Sequence, residues 1–193
     1  MLNQLIQWDT ELFLYLNNLG QELWDPFWLK MSEIGIWIPL YLLMLGLIYW
    51  LFHWKDALWL SLFLVLNVLA TDQGSVRLFK NQVQRPRPCH VEELQAQIRL
   101  VKGSCGGSYG FVSSHASNTF GLAFFLGLLF RRKWPWLYYA LIFWAGVVSY
   151  SRVYLGVHYP GDILFGGLYG TLCGTLLYLA VDRWIDPKFR KET

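Results

Sequence analysis

Charge is the scarcest property of this chain. Of its 193 residues, 15% are Asp, Glu, Lys or Arg, where soluble domains carry roughly a quarter. Beside 55% hydrophobic and 18% aromatic residues, that scarcity excludes a disordered chain, a coiled coil and a collagen-like repeat. It also argues against an ordinary soluble enzyme. The net charge of +3 is too small to imply a nucleic-acid partner. A basic segment leading into an apolar one is missing at the start, so no cleaved signal peptide is expected. No carboxylate cluster suited to Mg²⁺ is present either. The length fits one domain, residues 1–193, with no room for a second sizeable core.

What is present is apolar and long. Residues 35–54, 57–71, 104–130, 134–151 and 163–181 carry no Asp, Glu, Lys or Arg. A spanning helix needs about 20 mainly apolar residues, with roughly 17 as the short limit. The first, fourth and fifth stretches qualify. The second and the third, apolar mainly from Phe120 onward, qualify only by extending into polar neighbours, residues 72–80 and 115–119. Polar groups at membrane depth usually face a protein interior or a wet cavity, so these two helices are expected to point polar ends into a site. Trp54, Trp134, Trp136 and Tyr178 near the stretch ends suit membrane interfaces. A soluble all-helical protein would have to cover these stretches with very few charges. The expected fold is therefore all-α: a polytopic membrane bundle of five to six spanning helices.

Residues 1–33 differ. Leu2, Leu5, Ile6, Leu12 and Leu16 suggest an amphipathic helix, interrupted by Asp9 and Glu11 and expected in the interface or against the bundle. A sixth, partial span here is the weaker reading. Lys55, then Arg131, Arg132 and Lys133, then Arg183, Lys188, Arg190 and Lys191 fall on one side of five spans, the cytoplasmic side by the charge rule. The loop 81–112 and the turn 151–160 fall opposite. A site at the extracytoplasmic membrane surface follows, in a bacterial inner membrane facing the periplasm.

Three pieces converge there. Lys80 ends the second span, and Arg87 follows in a turn stiffened by Pro86 and Pro88. Ser113 or Ser114 would cap the third span, where free amides make an anion site beside His115. Arg152 and His158 are expected in a loop, with Asp162 in the first turn of the fifth span after Pro160. Singly each has a bland explanation. Lys80, Arg85 and Arg87 would serve as a headgroup rim, and Ser113, Ser114, His115 and Asp162 as helix caps. Together they are the inventory for binding and transferring a phosphate without a metal.

Lys80-x6-Arg87-Pro88 resembles the first motif of the type-2 phosphatidic acid phosphatase superfamily. Ser151-Arg152-x5-His158-x3-Asp162 resembles its third. The middle motif, usually Pro-Ser-Gly-His, reads Val112-Ser113-Ser114-His115; the Pro and the Gly are replaced. The resemblance covers residues 80–162 and implies a metal-free lipid phosphatase with no cofactor. It implies His158 as nucleophile through a phosphohistidine, Asp162 orienting its ring and favouring its charged form, and His115 as general acid and then base. It implies Lys80, Arg87, Arg152, Ser113 and Ser114 as holders of the phosphoryl oxygens.

The implied partner is a lipid phosphate among membrane lipids. Undecaprenyl pyrophosphate leads narrowly over phosphatidic acid, phosphatidylglycerophosphate and lipid A phosphates; no oligomeric state follows. A headgroup-binding or transport protein is the other class, though it has no need of His115, His158 and Asp162. A vanadate haloperoxidase shares the motifs but not the membrane layout. Asp72 and Gln73 read as a polar pair facing other helices, or as partners of Arg77 or Lys80. His90, Glu92 and Glu93 read as solvated, or as a headgroup selector. Cys173 reads as buried and inert. Cys89 and Cys105 would close the outer loop on an oxidising side, while Gly103, Gly106, Gly107 and Gly110 suit a flexible lid.

Overall fold

Proline sets where four of the helices begin. Pro26, Pro39, Pro135 and Pro160 each occupy the first or second helical position, where the missing N–H has no intrahelical acceptor anyway. The computed structural model describes residues 1–183. In chain order it forms α1 (Leu2–Asn18), α2 (Asp25–Ser32), α3 (Ile38–Leu51), α4 (Trp54–Gly74), α5 (Asn81–Val83), α6 (Glu92–Gln95), α7 (Ser114–Phe130), α8 (Pro135–Tyr154) and α9 (Pro160–Asp182). A π-helical turn, Ser75–Lys80, joins α4 to α5. The described residues contain no strand, only an isolated bridge between Pro86 and Tyr109.

Among the described residues, three segments are long and apolar enough to cross a membrane: Ile34–Leu51, Trp54–Val83 and Pro160–Asp182. The second runs unbroken through the polar residues 72–80, as its short apolar run required. The remaining two expected spans correspond to α7 and α8. With 17 residues, α7 is about 26 Å long at 1.5 Å per residue, and it opens on Ser114, His115 and Asn118. Its burial is the explanation for its short length: α7 packs on α4, α8 and α9 together and lies at the centre of the bundle. The sixth, partial span weighed for residues 1–33 has no counterpart among these three segments, since α1 is not one of them.

Close approach of α7 and α9 fixes the site. A Cβ on Gly170 would stand 2.1 Å from the Ser117 carbonyl oxygen, and one on Gly174 2.3 Å from that of Gly121. Only glycine admits this backbone contact, a device common between membrane helices. At the top of the pair, the Ser113 N–H donates to the Asp162 carbonyl at 3.0 Å. Below it Ile48, Leu60, Phe125, Phe130, Leu141 and Trp144 form the main apolar core. The outer surface is apolar as well. Leu164, Leu168, Leu172 and Leu176 run exposed along α9, a stripe suited to hydrocarbon rather than water.

The ends of the bundle differ. Lys55, Arg131, Arg132, Lys133 and Arg183 occur where α4 and α8 begin and α7 and α9 end. There Trp50 stacks on Trp134, with the Lys133 ammonium 5.1 Å from the Trp50 ring. Lys188, Arg190 and Lys191 lie outside the described residues. At the opposite end, α1 packs by Phe13 and Asn17, both fully buried, while Leu2, Leu5, Ile6 and Leu12 face outward.

Candidate active site

The α8–α9 connection delivers His158. The sequence reading puts Arg152 in a loop; it lies instead in the last turn of α8. The helix persists because its terminator is further on, at Gly156. This glycine has φ +80°, its N–H bonds the Val153 carbonyl at 3.0 Å, and the Val157 N–H bonds that of Arg152 at 3.1 Å. This pattern closes a helix through a left-handed glycine. The chain then turns back at once and buries His158 beside α9. Asp162 sits where expected, in the first turn of α9, and its Oδ2 accepts the Tyr159 N–H at 3.1 Å.

His158 Nδ1 lies 3.2 Å from the same Oδ2. An ionised carboxylate only accepts, so this contact places the proton on Nδ1 and leaves Nε2 with a lone pair. Burial first, and then the charges of Arg87, Arg152 and Lys80, push the imidazole well below its ordinary value. Burial and the three cations thus act against the charged ring that Asp162 is expected to favour.

The cations come from three elements. Lys80 ends the π-helical turn and donates to Ser114 Oγ at 2.7 Å. Arg87 donates to the Cys105 carbonyl at 3.1 Å, and burial lowers its pKa against the opposing pull of Asp162. Arg152 is buried, contacts Ser32 Oγ through Nη1, and has no protein partner at Nε. Ser113 occupies the N-cap position of α7 without making a side-chain cap. Its buried hydroxyl is likewise unpartnered. The Ser114 hydroxyl is engaged by Lys80 and by Ser75 at 2.7 Å each.

His115 stands between two cavities. Ser32 lines both cavities beside it. One cavity, of about 420 Å³, is lined by Ser32, Glu33, Lys102 and His115 on the outer side. The other, of about 520 Å³, runs between α3, α4 and α7. Its polar lining includes Asp72, Ser114, Asn118 and Thr119, and the rest is mostly apolar, including Trp37, Met44, Leu64 and Leu122. Asp72 thus faces α7, where it accepts from Asn118 Nδ2 at 3.4 Å. The described residues hold no group of three His, Cys, Asp or Glu side chains gathered for a metal.

The outer loop is pinned rather than hinged. Cys89 and Cys105 are disulfide-bonded. The Arg87 N–H bonds the Ser108 carbonyl, and the Gly110 N–H bonds that of Arg85 at 2.9 Å. Gly110 serves close approach, not a lid: a Cβ there would lie 2.9 Å from Asp162 Oδ2. His90, Glu92 and Glu93 are exposed, and Cys173 is half-buried rather than buried. Sequence reasoning missed Asp9, Arg85 as a member of the site, the packing role of Gly110, and Lys102, while Asn118 falls in the polar stretch 115–119 expected to face the site. Of these only Arg85 and Gly110 border a recognisable motif.

Similarity to known proteins agrees with this geometry. The family model of the PAP2 superfamily matches residues 56–186. The chain is 38% identical to a lipid A 4'-phosphatase of Bacteroides thetaiotaomicron over 96% of its own length and 81% of the relative's. It is 33% identical to a lipid A 4'-phosphatase of Porphyromonas gingivalis, over 94% and 78%. Its fold resembles a transmembrane PAP2 type phosphatidylglycerolphosphate phosphatase of Bacillus subtilis, with TM-score 0.71 at 20% identity, covering 96% of this chain and 89% of that one. The cluster of cations, the two histidines and the apolar helices thus find one account: this chain belongs to the PAP2 superfamily, as an integral membrane lipid phosphatase.

Proposed function

We propose that the substrate is a lipid A-type glycolipid phosphate, hydrolysed on the extracytoplasmic face of a bacterial inner membrane. One observation carries the choice of lipid. The cavity leading away from His115 is polar at its first contact, with Asp72 and Asn118, and apolar beyond. A sugar or glycerol leaving group offers hydroxyl or amide donors next to the leaving oxygen and acyl chains further out, which suits that order. A polyprenyl chain is apolar from its first carbon and leaves the Asp72 carboxylate facing hydrocarbon, an unfavourable pairing. The names of the relatives from Bacteroides thetaiotaomicron and Porphyromonas gingivalis support the same ranking, above the undecaprenyl pyrophosphate that the sequence alone puts first.

In this reading His158 Nε2 attacks phosphorus as the bond to the lipid oxygen breaks, and His115 protonates that oxygen. Water then attacks the phosphohistidine, giving its proton to His115, and free phosphate leaves. Asp162 holds the His158 tautomer. Lys80, Arg87, Arg152 and Ser113 hold the three phosphoryl oxygens, where charge placement dominates the barrier. Ser114 takes part through Lys80. The cationic loops at the far end support a cytoplasmic location for that end.

The test is phosphate release by the purified protein in detergent from lipid A, phosphatidylglycerophosphate, phosphatidic acid and undecaprenyl pyrophosphate. The expected ranking puts lipid A first, with Asp72→Leu lowering its rate at least tenfold more than that of the pyrophosphate. Undecaprenyl pyrophosphate ahead in the parent, or equal loss on all four lipids, overturns the substrate assignment.

A further inference from the structure

α1 presents three side chains to the catalytic end, spaced by one turn each: Asp9, Phe13 and Asn17. Positions i, i+4 and i+8 share one helix face, and all three meet the segment that carries His158. Asn17 donates from Nδ2 to the Val153 and Tyr154 carbonyls at 3.2 and 2.8 Å. These are terminal carbonyls of α8, just before the Gly156 turn. Phe13 packs edge-on against Tyr159 with ring centroids 5.4 Å apart. Asp9 Oδ1 accepts the Gly161 N–H at 2.7 Å, which lacks a partner inside α9 because it lies in the first turn. Gly161 has no room for a side chain, since a Cβ there would stand 2.7 Å from Asp9 Oδ2. The α8–α9 connection is therefore gripped on both sides of His158 by a helix more than a hundred residues away in sequence.

Asp9 also fixes a charge. Arg85 Nη1 lies 2.7 Å from Asp9 Oδ2 and 3.3 Å from Asp162 Oδ1, and its guanidinium lies 3.8 Å above the Tyr159 ring. The short contact to Asp9 and the ring beneath hold Arg85 to one oxygen of Asp162. The other oxygen, Oδ2, is left for His158 and the Tyr159 N–H. Without Asp9, a guanidinium free to take both carboxylate oxygens is the better pairing for Arg85, and it draws Oδ2 away from the imidazole.

We propose that Asp9 and Arg85 form a positioning pair that sets the Asp162–His158 contact, making α1 part of the catalytic apparatus rather than only a membrane-surface helix. The proposal rests on His158 being the nucleophile. Neither residue touches the phosphate; both act through Asp162. The charged and titratable groups acting on the His158–Asp162 pair are Arg85 on this side, itself bound by Asp9, and Lys80, Arg87, Arg152 and His115 on the phosphate side.

The experiment compares Asp9→Asn, Asp9→Glu, Arg85→Gln and Arg85→Lys with the parent and with His158→Ala, in detergent, each checked for an unchanged elution profile. Asp9→Asn keeps an acceptor for Gly161 but loses the charge that anchors Arg85. The expected result is a 10- to 100-fold fall in kcat with KM within about threefold, since a misplacement near 1 Å suffices for ~100-fold. Asp9→Glu and Arg85→Lys are expected to recover part of the loss. The acid limb of kcat is expected to move in opposite directions. Losing the Arg85 cation eases protonation of the pair and shifts the limb to higher pH; losing the Asp9 anion shifts it to lower pH. A helix with a merely structural role moves neither limb. If Arg85→Gln does not fold, Asp9→Asn and Arg85→Lys carry the test. Parent-like kcat and pH profile in Asp9→Asn, with His158→Ala inactive, overturn the proposal alone. An active His158→Ala overturns the nucleophile assignment beneath it.

Discussion

Lys80 Nζ and Ser75 Oγ meet at one hydroxyl, Ser114 Oγ, each at 2.7 Å. Ser114 occupies the position where the PAP2 middle motif usually has glycine, so this tether belongs to the departure rather than to the common pattern. Restoring the glycine, Ser114→Gly, removes the acceptor of a charge-assisted hydrogen bond worth roughly 1.5–3 kcal/mol. The expected result is a KM raised about tenfold and a kcat lowered less. Lys80→Ala is expected to cost about 100-fold or more in kcat/KM, as for other fixed donors to a transition-state charge. Steady-state kinetics on one lipid phosphate check both; a silent Ser114→Gly contradicts the tether.

Gly110→Ala tests the packing around the His158–Asp162 pair. The new methyl would meet Asp162 Oδ2 at 2.9 Å and Arg87 Cγ at 3.3 Å, so the carboxylate must move. Its displacement is expected to lower kcat at least tenfold, with the melting temperature of the detergent complex reduced by only a few degrees. Parent-like kcat would show that Asp162 tolerates the shift.

The neutral His158 predicts a pH dependence with a definite sign. The reactive form is the unprotonated imidazole, and burial reinforced by Arg87, Arg152 and Lys80 pushes its pKa well below the ordinary 6.5. The nucleophile therefore stays competent as pH falls through 6.5, and its acid limb in kcat/KM lies clearly lower. Stability runs the other way. The unfolded chain takes up a proton near pH 6.5 that the native site refuses, so this group lowers stability progressively as pH drops below that value. A kcat/KM profile between pH 4 and 8, compared in parent and Arg87→Gln, checks the first. An acid limb at 6.5 assigned to His158 contradicts it.

The Cys89–Cys105 disulfide closes a loop of sequence separation 16 and anchors the carbonyl that orients Arg87. A loop of that length stabilises by about 3 kcal/mol in the chain-entropy model. Cys89→Ser with Cys105→Ser is expected to lower the midpoint of thermal unfolding by several degrees and to raise KM more than it lowers kcat. An unchanged midpoint with or without reductant would contradict the structural role.

The layout of the catalytic end was readable in the sequence wherever a local rule forced it. The apolar run 57–71 is too short to span, which obliged α4 to carry Asp72 to Lys80 in a helix, and it does. His115 opening α7 follows from the same reasoning. Arg152 was misplaced because a charged residue at the end of an apolar run reads as a loop, although Gly156 marks the true helix end. α7 and α8 fall outside the three long apolar segments because they are held by burial among other helices, which apolar length alone does not encode. Asp9, Asn17 and the close-packing role of Gly110 were not legible. Each acts on a partner brought near only by tertiary packing, and an Asp within an amphipathic segment looks like any solvated charge. Ser114 could be seen as a departure, but its use as a Lys80 acceptor required the geometry.

The most direct test of the account is a rapid-quench measurement of phosphoenzyme, using lipid A carrying a labelled 4'-phosphate, with chelator present. The account predicts a phosphorylated protein in the parent, stable to base and labile to acid as a phosphohistidine is, mapped to His158, accumulating in His115→Ala and absent in His158→Ala. Phosphate release that is abolished by the chelator, or that persists in His158→Ala, would contradict it.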